Sequence, residues 1–148
     1  MPLLDRVNAT AALIRTFTTP FERPDRLPKA LAVMAPWGAS IAGLAAGAAA
    51  RYPTRTAVID ETGGLTYGEL WRRSLGIAAA LQDRGVGPGT KVGLLARNHA
   101  GFVECIVAIS ATGADTILLN TGFAGPQLAD VVASEGITMV LRMPRRLA

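Results

Sequence analysis

The chain has 148 residues, of which half are hydrophobic and only 5% are aromatic. This length suits one domain, or a piece of one, that buries roughly two thirds of its unfolded surface in a core of Ala, Leu, Val and Ile. The net charge is +4, but many basic residues lie near the two ends and none form a run interleaved with aromatic residues. We therefore expect no nucleic-acid surface.

The single cysteine, Cys105, excludes a disulfide within the chain and a zinc site with cysteine spacing. It falls on the apolar face of a predicted helix, where we expect a buried, unreactive thiol in a reducing compartment. The first residues, MPLLDRVNATAALIRTF, carry charge early and lack the order of a secretory signal. These features predict a cytoplasmic protein.

The N-terminal segment, residues 1–29, is predicted to be an arm or linker. A weakly amphipathic stretch is followed by a charged connector in which Pro20, Pro24 and Pro28 argue against a continuous helix.

Residues 30–55 form a predicted Ala- and Gly-rich helical segment. The chain is uncharged from residue 30 to residue 50, which is long enough to span a bilayer, and Gly43 and Gly47 have GxxxG spacing. The Ala and Gly content and the break at Pro36 favour instead a helix from about Trp37 to Arg51 that packs on the domain. Peripheral membrane contact through this segment and the arm stays open as an alternative.

Residues 56–141 alternate between strand and helix patterns. Residues 56–60 and 65–67, joined through Gly63 and Gly64, predict a hairpin at a sheet edge. Later strands are predicted at residues 92–96, 116–119 and 137–141. Because these strands are apolar on consecutive residues, helices must cover both faces. The predicted fold class is α/β: a partial, doubly wound parallel sheet with crossover helices.

The predicted helices between these strands have recognisable ends. Thr66 and Glu69 have capping-box spacing, and the helix that they start should stop at Gly85. A second helix follows the strand at 92–96. A third lies between Pro126 and Gly136 and should direct three apolar side chains inward, namely Leu128, Val131 and Val132.

The last residues, 142–148, read RMPRRLA and form an atypical basic tail. They are too few and too polar for the helix that should cover the strand at 137–141. The expectation is therefore that the α/β domain is truncated after residue 141, and that its open sheet edge allows self-association.

Three glycines, Gly85, Gly87 and Gly89, resemble a dinucleotide-binding loop only superficially. They lie between a helix and the next strand, whereas a phosphate loop must precede a helix N-terminus. A helix stop and a turn account better for them.

Arg97, Asn98 and His99 do lie at the carboxyl end of a predicted strand, where open sheets bind ligands. Asn98 is expected to cap the following helix, and Arg97 or His99 is an alternative ligand for a phosphate or carboxylate. The loop NTGFAGPQL at residues 120–128 occupies the equivalent place after the next strand, and its backbone could approach a substrate.

No complete active site follows from these residues. His99, the only histidine, is on a different helical face from Cys105, so the two do not suit a base and nucleophile. Neither Asp60 with Glu61 nor Glu104 with Asp115 forms a convincing acid and base pair, and these carboxylates are expected to be solvated or to cap helices.

Three segments together carry a resemblance to a known family: LTYGEL at 65–70, GVGPGTKVGLLARNHAGFVE at 85–104 and GADTILLNTGFAGPQLADVV at 113–132. In this order they resemble the N-terminal part of an AMP-binding, adenylate-forming acyl-CoA synthetase of the long-chain fatty acid ligase type. The resemblance implies the N-terminal portion of the large α/β domain of such an enzyme.

The resemblance also implies the chemistry of the whole family. Such enzymes use ATP, magnesium and CoA to convert a fatty acid into an acyl-adenylate and then into a thioester. The family's phosphate loop, magnesium-binding and ribose-binding motifs and catalytic lysine have no counterpart in this sequence. No catalytic, cofactor-binding or metal-binding residue can therefore be assigned, and we expect the chain to be inactive alone.

Two hypotheses remain for the chain itself. One is a fragment of a fatty acid–CoA ligase that needs further sequence for activity. The other is a non-catalytic interaction or oligomerisation module, with peripheral membrane attachment as a variant.

Overall fold

The computed structural model describes residues 26–143. Its helices are α1 (Arg26–Met34), α2 (Ile41–Arg51), α3 (Tyr67–Gln82), α4 (Ala100–Thr112) and α5 (Gly125–Glu135). Its strands are β1 (Thr56–Asp60), β2 (Gly63–Thr66), β3 (Lys91–Leu95), β4 (Asp115–Leu118) and β5 (Met139–Arg142). Most of the predicted arm and of the basic tail lies outside the described residues.

Strands β3, β4 and β5 form a parallel sheet in the order β4-β3-β5. Leu94 of β3 pairs with Leu118 of β4 on one side and with Leu141 of β5 on the other. Because β4 and β5 lie on opposite sides of β3, right-handed crossovers place α4 and α5 on opposite faces of the sheet. The predicted α/β fold with a parallel sheet and crossover helices is confirmed.

The main core lies between one face of this sheet and helices α3 and α4. Val92 and Leu94 of β3 are 0% and 1% exposed and pack with residues of α3 and α4, including Ala78 and Ile109. On the other face, a Cβ added at Gly93 would lie 2.7 Å from Leu119 Cδ1 and 3.2 Å from Ile137 Cγ2. On that face, the side chains of Leu119 and Ile137, which lie next to β4 and β5 in the chain, cover the central strand at Gly93.

Helix α3 begins as the sequence predicts. The Thr66 hydroxyl accepts a hydrogen bond from the Glu69 backbone N–H at 3.3 Å, and Glu69 Oε2 accepts one from the Thr66 N–H at 2.9 Å. The Thr66 N–H bond also lowers the pKa of Glu69. The chain leaves the helix after Gln82 and turns through Gly85, which has a φ of +81°. Both the capping box and the glycine stop are confirmed.

The structure corrects the predicted start of the helical region. Helix α1 begins at Arg26, inside the segment expected to be an arm or linker. Pro28 is its third residue, and because backbone N–H groups of a first helical turn have no intrahelical partner, proline is tolerated there. The expectation that Pro28 argues against a helix here was wrong.

Helix α2 starts at Ile41, not at Trp37. Gly38 adopts a φ of +59°, which turns the chain, and Ser40 caps the helix by accepting from the Gly43 N–H at 3.1 Å. Trp37 instead packs edge-on against Trp71, with ring centroids 4.9 Å apart, and its Nε1–H donates to the Ala111 carbonyl.

The GxxxG pair packs α2 closely against α1 and the turn that follows it. A Cβ at Gly43 would collide with the carbonyl oxygen of Gly38, and one at Gly47 would lie 2.6 Å from Met34 Sδ. Over residues 26–143, no helix is long and apolar enough to cross a membrane. Within that range, the Ala-rich segment packs on the domain as predicted.

The hairpin and helix α5 differ in part from expectation. Strands β1 and β2 pair antiparallel, but they form a separate two-stranded sheet and not an edge of the parallel sheet. In α5, Leu128, Val131 and Val132 are half-buried while the other side chains are exposed. The predicted inward face of α5 is thus correct, although none of its residues is fully buried.

Candidate functional site

Two strand-to-helix loops lie side by side at the carboxyl ends of β3 and β4 and line an open cleft of about 360 Å³. Its lining comprises Ala96, Arg97, Asn98, Phe102, Leu118, Leu119, Asn120 and Thr121. Strands β3 and β4 are parallel neighbours in the sheet. Open α/β sheets bind their ligands in the crevice outside the carboxyl ends of such strands.

The cleft combines polar groups with an apolar wall. Arg97 supplies a guanidinium group, Asn98 and Asn120 supply amides, and Thr121 supplies a hydroxyl. The apolar side chains are Phe102, Leu118 and Leu119, of which Leu118 is 60% exposed. This composition suits a ligand that joins an anionic group to an apolar body.

Only part of each of the two loops predicted at this edge of the sheet lines the cleft. Arg97 and Asn98 share the cleft with Asn120 and Thr121, whereas His99 and residues 122–128 do not line it. Asn120 also fixes the turn of its own loop, because its Oδ1 accepts from the Gly122 N–H at 2.8 Å.

The N-terminus of α4, which forms one side of the cleft, is capped from a distance. His99 occupies the N-cap position but makes no side-chain capping bond. The Ala100 N–H instead donates to Asp60 Oδ2, at 2.8 Å, from the end of β1. The expectation that Asn98 caps this helix was wrong, because an acceptor 40 positions earlier in the chain takes that place.

Asp60 is held by hydrogen bonds on both carboxylate oxygens. Its Oδ1 accepts from the Thr62 hydroxyl at 2.6 Å and from the Thr62 N–H at 2.8 Å. The Thr62 hydroxyl bond, followed by the backbone bonds of Ala100 and Thr62, lowers the pKa of Asp60 to about 2. The sequence left open whether this carboxylate is solvated or caps a helix; in the structure it caps α4, through a partner that the sequence did not name.

The other groups that were considered as catalytic candidates make contacts that stabilise the fold. Glu104 accepts from Arg73 Nη1 at 3.4 Å across the α3–α4 interface. Cys105 is 3% exposed, and burial raises the pKa of its thiol. Gly85 and Gly89, with φ values of +81° and +83°, form the turn that precedes β3.

Magnesium would need oxygen ligands gathered at one place. Within residues 26–143, no group of three His, Cys, Asp or Glu side chains lies close enough to hold a metal ion. The described residues therefore offer no side-chain cluster that could hold magnesium by itself.

With the cleft and the fold described, comparison with known proteins identifies the family. Residues 46–147 match the AMP-binding enzyme family, and the chain belongs to it. The structure of o-succinylbenzoate–CoA synthetase from Bacillus subtilis, in complex with AMP, superimposes with a TM-score of 0.62 at 26% identity. That match covers 65% of this chain and 25% of the synthetase chain.

Two relatives are named for different acids. The feruloyl-CoA synthase of an Amycolatopsis species is 35% identical over 92 residues, which are 62% of this chain and 19% of the synthase. A Mycobacterium marinum ligase named for medium- and long-chain fatty acids and 3-oxocholest-4-en-26-oate is 40% identical over 84 residues, 57% of this chain and 15% of the ligase.

The chain thus spans between 15% and 25% of the length of these proteins. The predicted resemblance to the N-terminal part of an AMP-binding enzyme is confirmed. The long-chain fatty acid type is not singled out, because the relatives are named for ferulate, fatty acid and o-succinylbenzoate.

Proposed function

We propose that this chain forms the N-terminal part of the AMP-binding domain of an acid–CoA ligase. In that reaction a carboxylate oxygen of the acid attacks the α-phosphorus of ATP, and pyrophosphate leaves. The sulfur of CoA then attacks the acyl carbon of the adenylate, and AMP leaves. The match of residues 46–147 to the AMP-binding enzyme family supports this proposal, and the similarity to a feruloyl-CoA synthase and to a fatty acid–CoA ligase favours the CoA ligase within that family.

A fatty acid is the narrower proposal for the substrate. Two observations support it. The Mycobacterium marinum ligase named for fatty acids is 40% identical to the matched segment. The lining of the cleft also combines Arg97 with the apolar residues Phe102 and Leu118, a composition that suits a carboxylate on a hydrocarbon body.

The 148-residue chain is expected to be inactive by itself. Among the described residues no metal-binding cluster exists, and the glycine-rich turn lies before a strand, where it cannot direct a helix N-terminus at a phosphate. In this proposal the residues that bind ATP and magnesium come from sequence beyond the matched segment.

The test is acid-dependent exchange of labelled pyrophosphate into ATP. It would be run on the purified chain and on a version that continues into adjacent coding sequence, with palmitate, ferulate and o-succinylbenzoate as acids. We expect no exchange by the chain and exchange by the longer version, strongest with palmitate. Exchange by the short chain would contradict its predicted inactivity. Strongest exchange with ferulate would contradict the proposal that the substrate is a fatty acid.

The contribution of the cleft can be measured in the same assay, with the substitutions made in the longer version. Replacing Arg97 by Gln removes the guanidinium group that the described residues contribute to the cleft, and a lost charged hydrogen bond typically costs about tenfold or more in kcat/KM. Arg72→Gln, an exposed change on α3, is the matched control and should leave kcat/KM unchanged. If both changes lower kcat/KM equally, the cleft has no specific role in binding the acid.

A non-catalytic interaction module is the second candidate. The two outer strands of the described sheet, β4 and β5, carry exposed apolar side chains, with Leu118 at 60% and Val140 at 38% exposure. Unpaired strand edges favour association with another chain. Sedimentation that shows a stable oligomer, together with silence of both versions in the exchange assay, would favour this candidate over the ligase.

A further inference from the structure

The carboxylate of Asp60 connects two parts of the molecule that the sheet does not connect. Asp60 ends β1 in the two-stranded hairpin, whereas Ala100 begins α4, which covers the parallel sheet. The Oδ2–Ala100 N distance is 2.8 Å, and Oδ1 holds Thr62 in the hairpin turn. One side chain therefore makes hydrogen bonds on both sides of this junction.

The position of Ala100 makes this contact relevant to the cleft. The residues immediately before it, Arg97 and Asn98, line the cleft, and Phe102 lines it from the first turn of α4. Because His99 makes no side-chain capping bond, the local sequence gives this turn no side-chain cap. The orientation of the loop at residues 96–99 then depends on the hydrogen bond from the hairpin.

We propose that Asp60 is a positioning residue for the cleft: it fixes the N-terminus of α4 and thereby the placement of Arg97 and Asn98. Asp60 does not line the cleft and has no role in bond making. The use of the cleft rests on the proposed function, but the positioning itself is a property of the folded chain.

Electrostatics supports the arrangement. A carboxylate at a helix N-terminus interacts favourably with the backbone N–H groups there. The bonds from Thr62 and Ala100, with a smaller contribution from the charge of His99, lower the pKa of Asp60 to about 2. The adjacent carboxylate, Glu61, is exposed. Because the pKa of folded Asp60 is below its ordinary value of 3.8, the stability that this carboxylate contributes is fully present above pH 3.8 and is lost as the pH falls through about 2.

The test measures backbone amides of the isotope-labelled 148-residue chain by NMR, without ATP or acid. Asp60→Ala should lower the hydrogen-exchange protection of Ala100 about tenfold and shift the amide signals of Arg97 and Asn98. Protection of Val92 and Leu94 in the central strand should change much less. Asp60→Asn keeps an acceptor oxygen and should restore part of the protection, whereas Glu61→Ala removes a neighbouring carboxylate and should change none of these signals.

The pH dependence gives an independent readout. In the unsubstituted chain the Ala100 amide signal should titrate with a midpoint near pH 2, and Asp60→Asn should abolish that titration. If acid unfolds the chain first, the comparison of the two Asp60 variants at pH 7 decides. Unchanged Ala100 protection in Asp60→Ala, or an equal loss at every amide, would overturn the proposal. Neither result depends on the exchange assay, so a failure of the proposed ligase function stays distinguishable.

Discussion

Two serine hydroxyls cap the N-terminus of α2, and they come from different parts of the chain. Ser40 accepts from the Gly43 N–H at 3.1 Å, and Ser110 of α4 accepts from the Ala42 N–H, also at 3.1 Å. The first cap follows a local sequence pattern. The second depends on the packing of α2 against α4, so its effect on stability reports the tertiary structure.

Ser74 presents the opposite case of a hydroxyl without a partner. Its side chain is 0% exposed, and within residues 26–143 its Oγ has no hydrogen-bond partner. An unsatisfied buried hydroxyl is unfavourable, so Ser74→Ala should raise the free energy of unfolding by up to about 1 kcal/mol. Urea denaturation followed by circular dichroism measures this change.

Ser110→Ala is the matched control, because it removes a hydroxyl that accepts a hydrogen bond. It should lower the free energy of unfolding by about 1 kcal/mol. If Ser74→Ala destabilises the chain as much as Ser110→Ala does, the prediction that the buried Ser74 hydroxyl is unfavourable is wrong.

At the scale of elements, close helix packing depends on where small residues lie. Gly43 and Gly47 let α2 approach α1 and the turn after it, and Ala42 and Ala46 on the same helix are 0% exposed. The spacing that resembles a membrane helix contact thus packs helices within a globular fold. Helix α5 lacks such packing and buries no residue.

Two glycine substitutions in helices should have opposite effects. Gly43→Ala places a methyl group against the backbone carbonyl of Gly38, and since backbone must move to admit it, the free energy of unfolding should fall by about 1 to 3 kcal/mol. Gly76→Ala in α3 meets no atom within 4 Å and should raise it by about 0.4 to 1 kcal/mol. Thermal and urea denaturation would test the pair. A loss of stability at both positions would show that open space at Gly76 does not govern the outcome.

At the scale of the whole molecule, one compact core joins the central strand to helices α3 and α4. Cys105 belongs to that core, so its reactivity reports on opening of the core around α4. The sequence correctly indicates a buried thiol, because Cys105 falls among the apolar positions of α4. The degree of burial depends on α3 and the sheet.

Burial of Cys105 predicts slow modification and a dependence of stability on alkaline pH. Reaction with a thiol reagent should be at least about 100-fold slower in the folded chain than in urea. Because folding raises the pKa of this thiol above its ordinary value of 9.0, its contribution to stability is complete below pH 9.0 and is lost as the pH rises through the pKa of the folded state.

Cys105→Ala is the control for both measurements. It removes the reaction and should also remove the thiol's share of the alkaline loss of stability. Fast modification of the folded, unsubstituted chain would contradict the buried position of this residue.

The sequence determined the alternation of strands and helices, the cap of α3 and the family, because these depend on residues close together in the chain. Thr66 and Glu69 are three positions apart, and the apolar runs of β3 and β4 are continuous. Such local patterns can be recognised in the sequence alone.

Only the tertiary structure decided which partners close the remaining helix ends and the cleft. Asp60 reaches Ala100 across 40 positions, and Ser110 reaches Ala42 across 68. Likewise, Arg97 and Asn120 share one cleft because adjacent parallel strands end at the same edge of the sheet. Contacts of this range arise from the packing of whole elements, and local composition carries no record of which distant oxygen will lie within hydrogen-bonding distance.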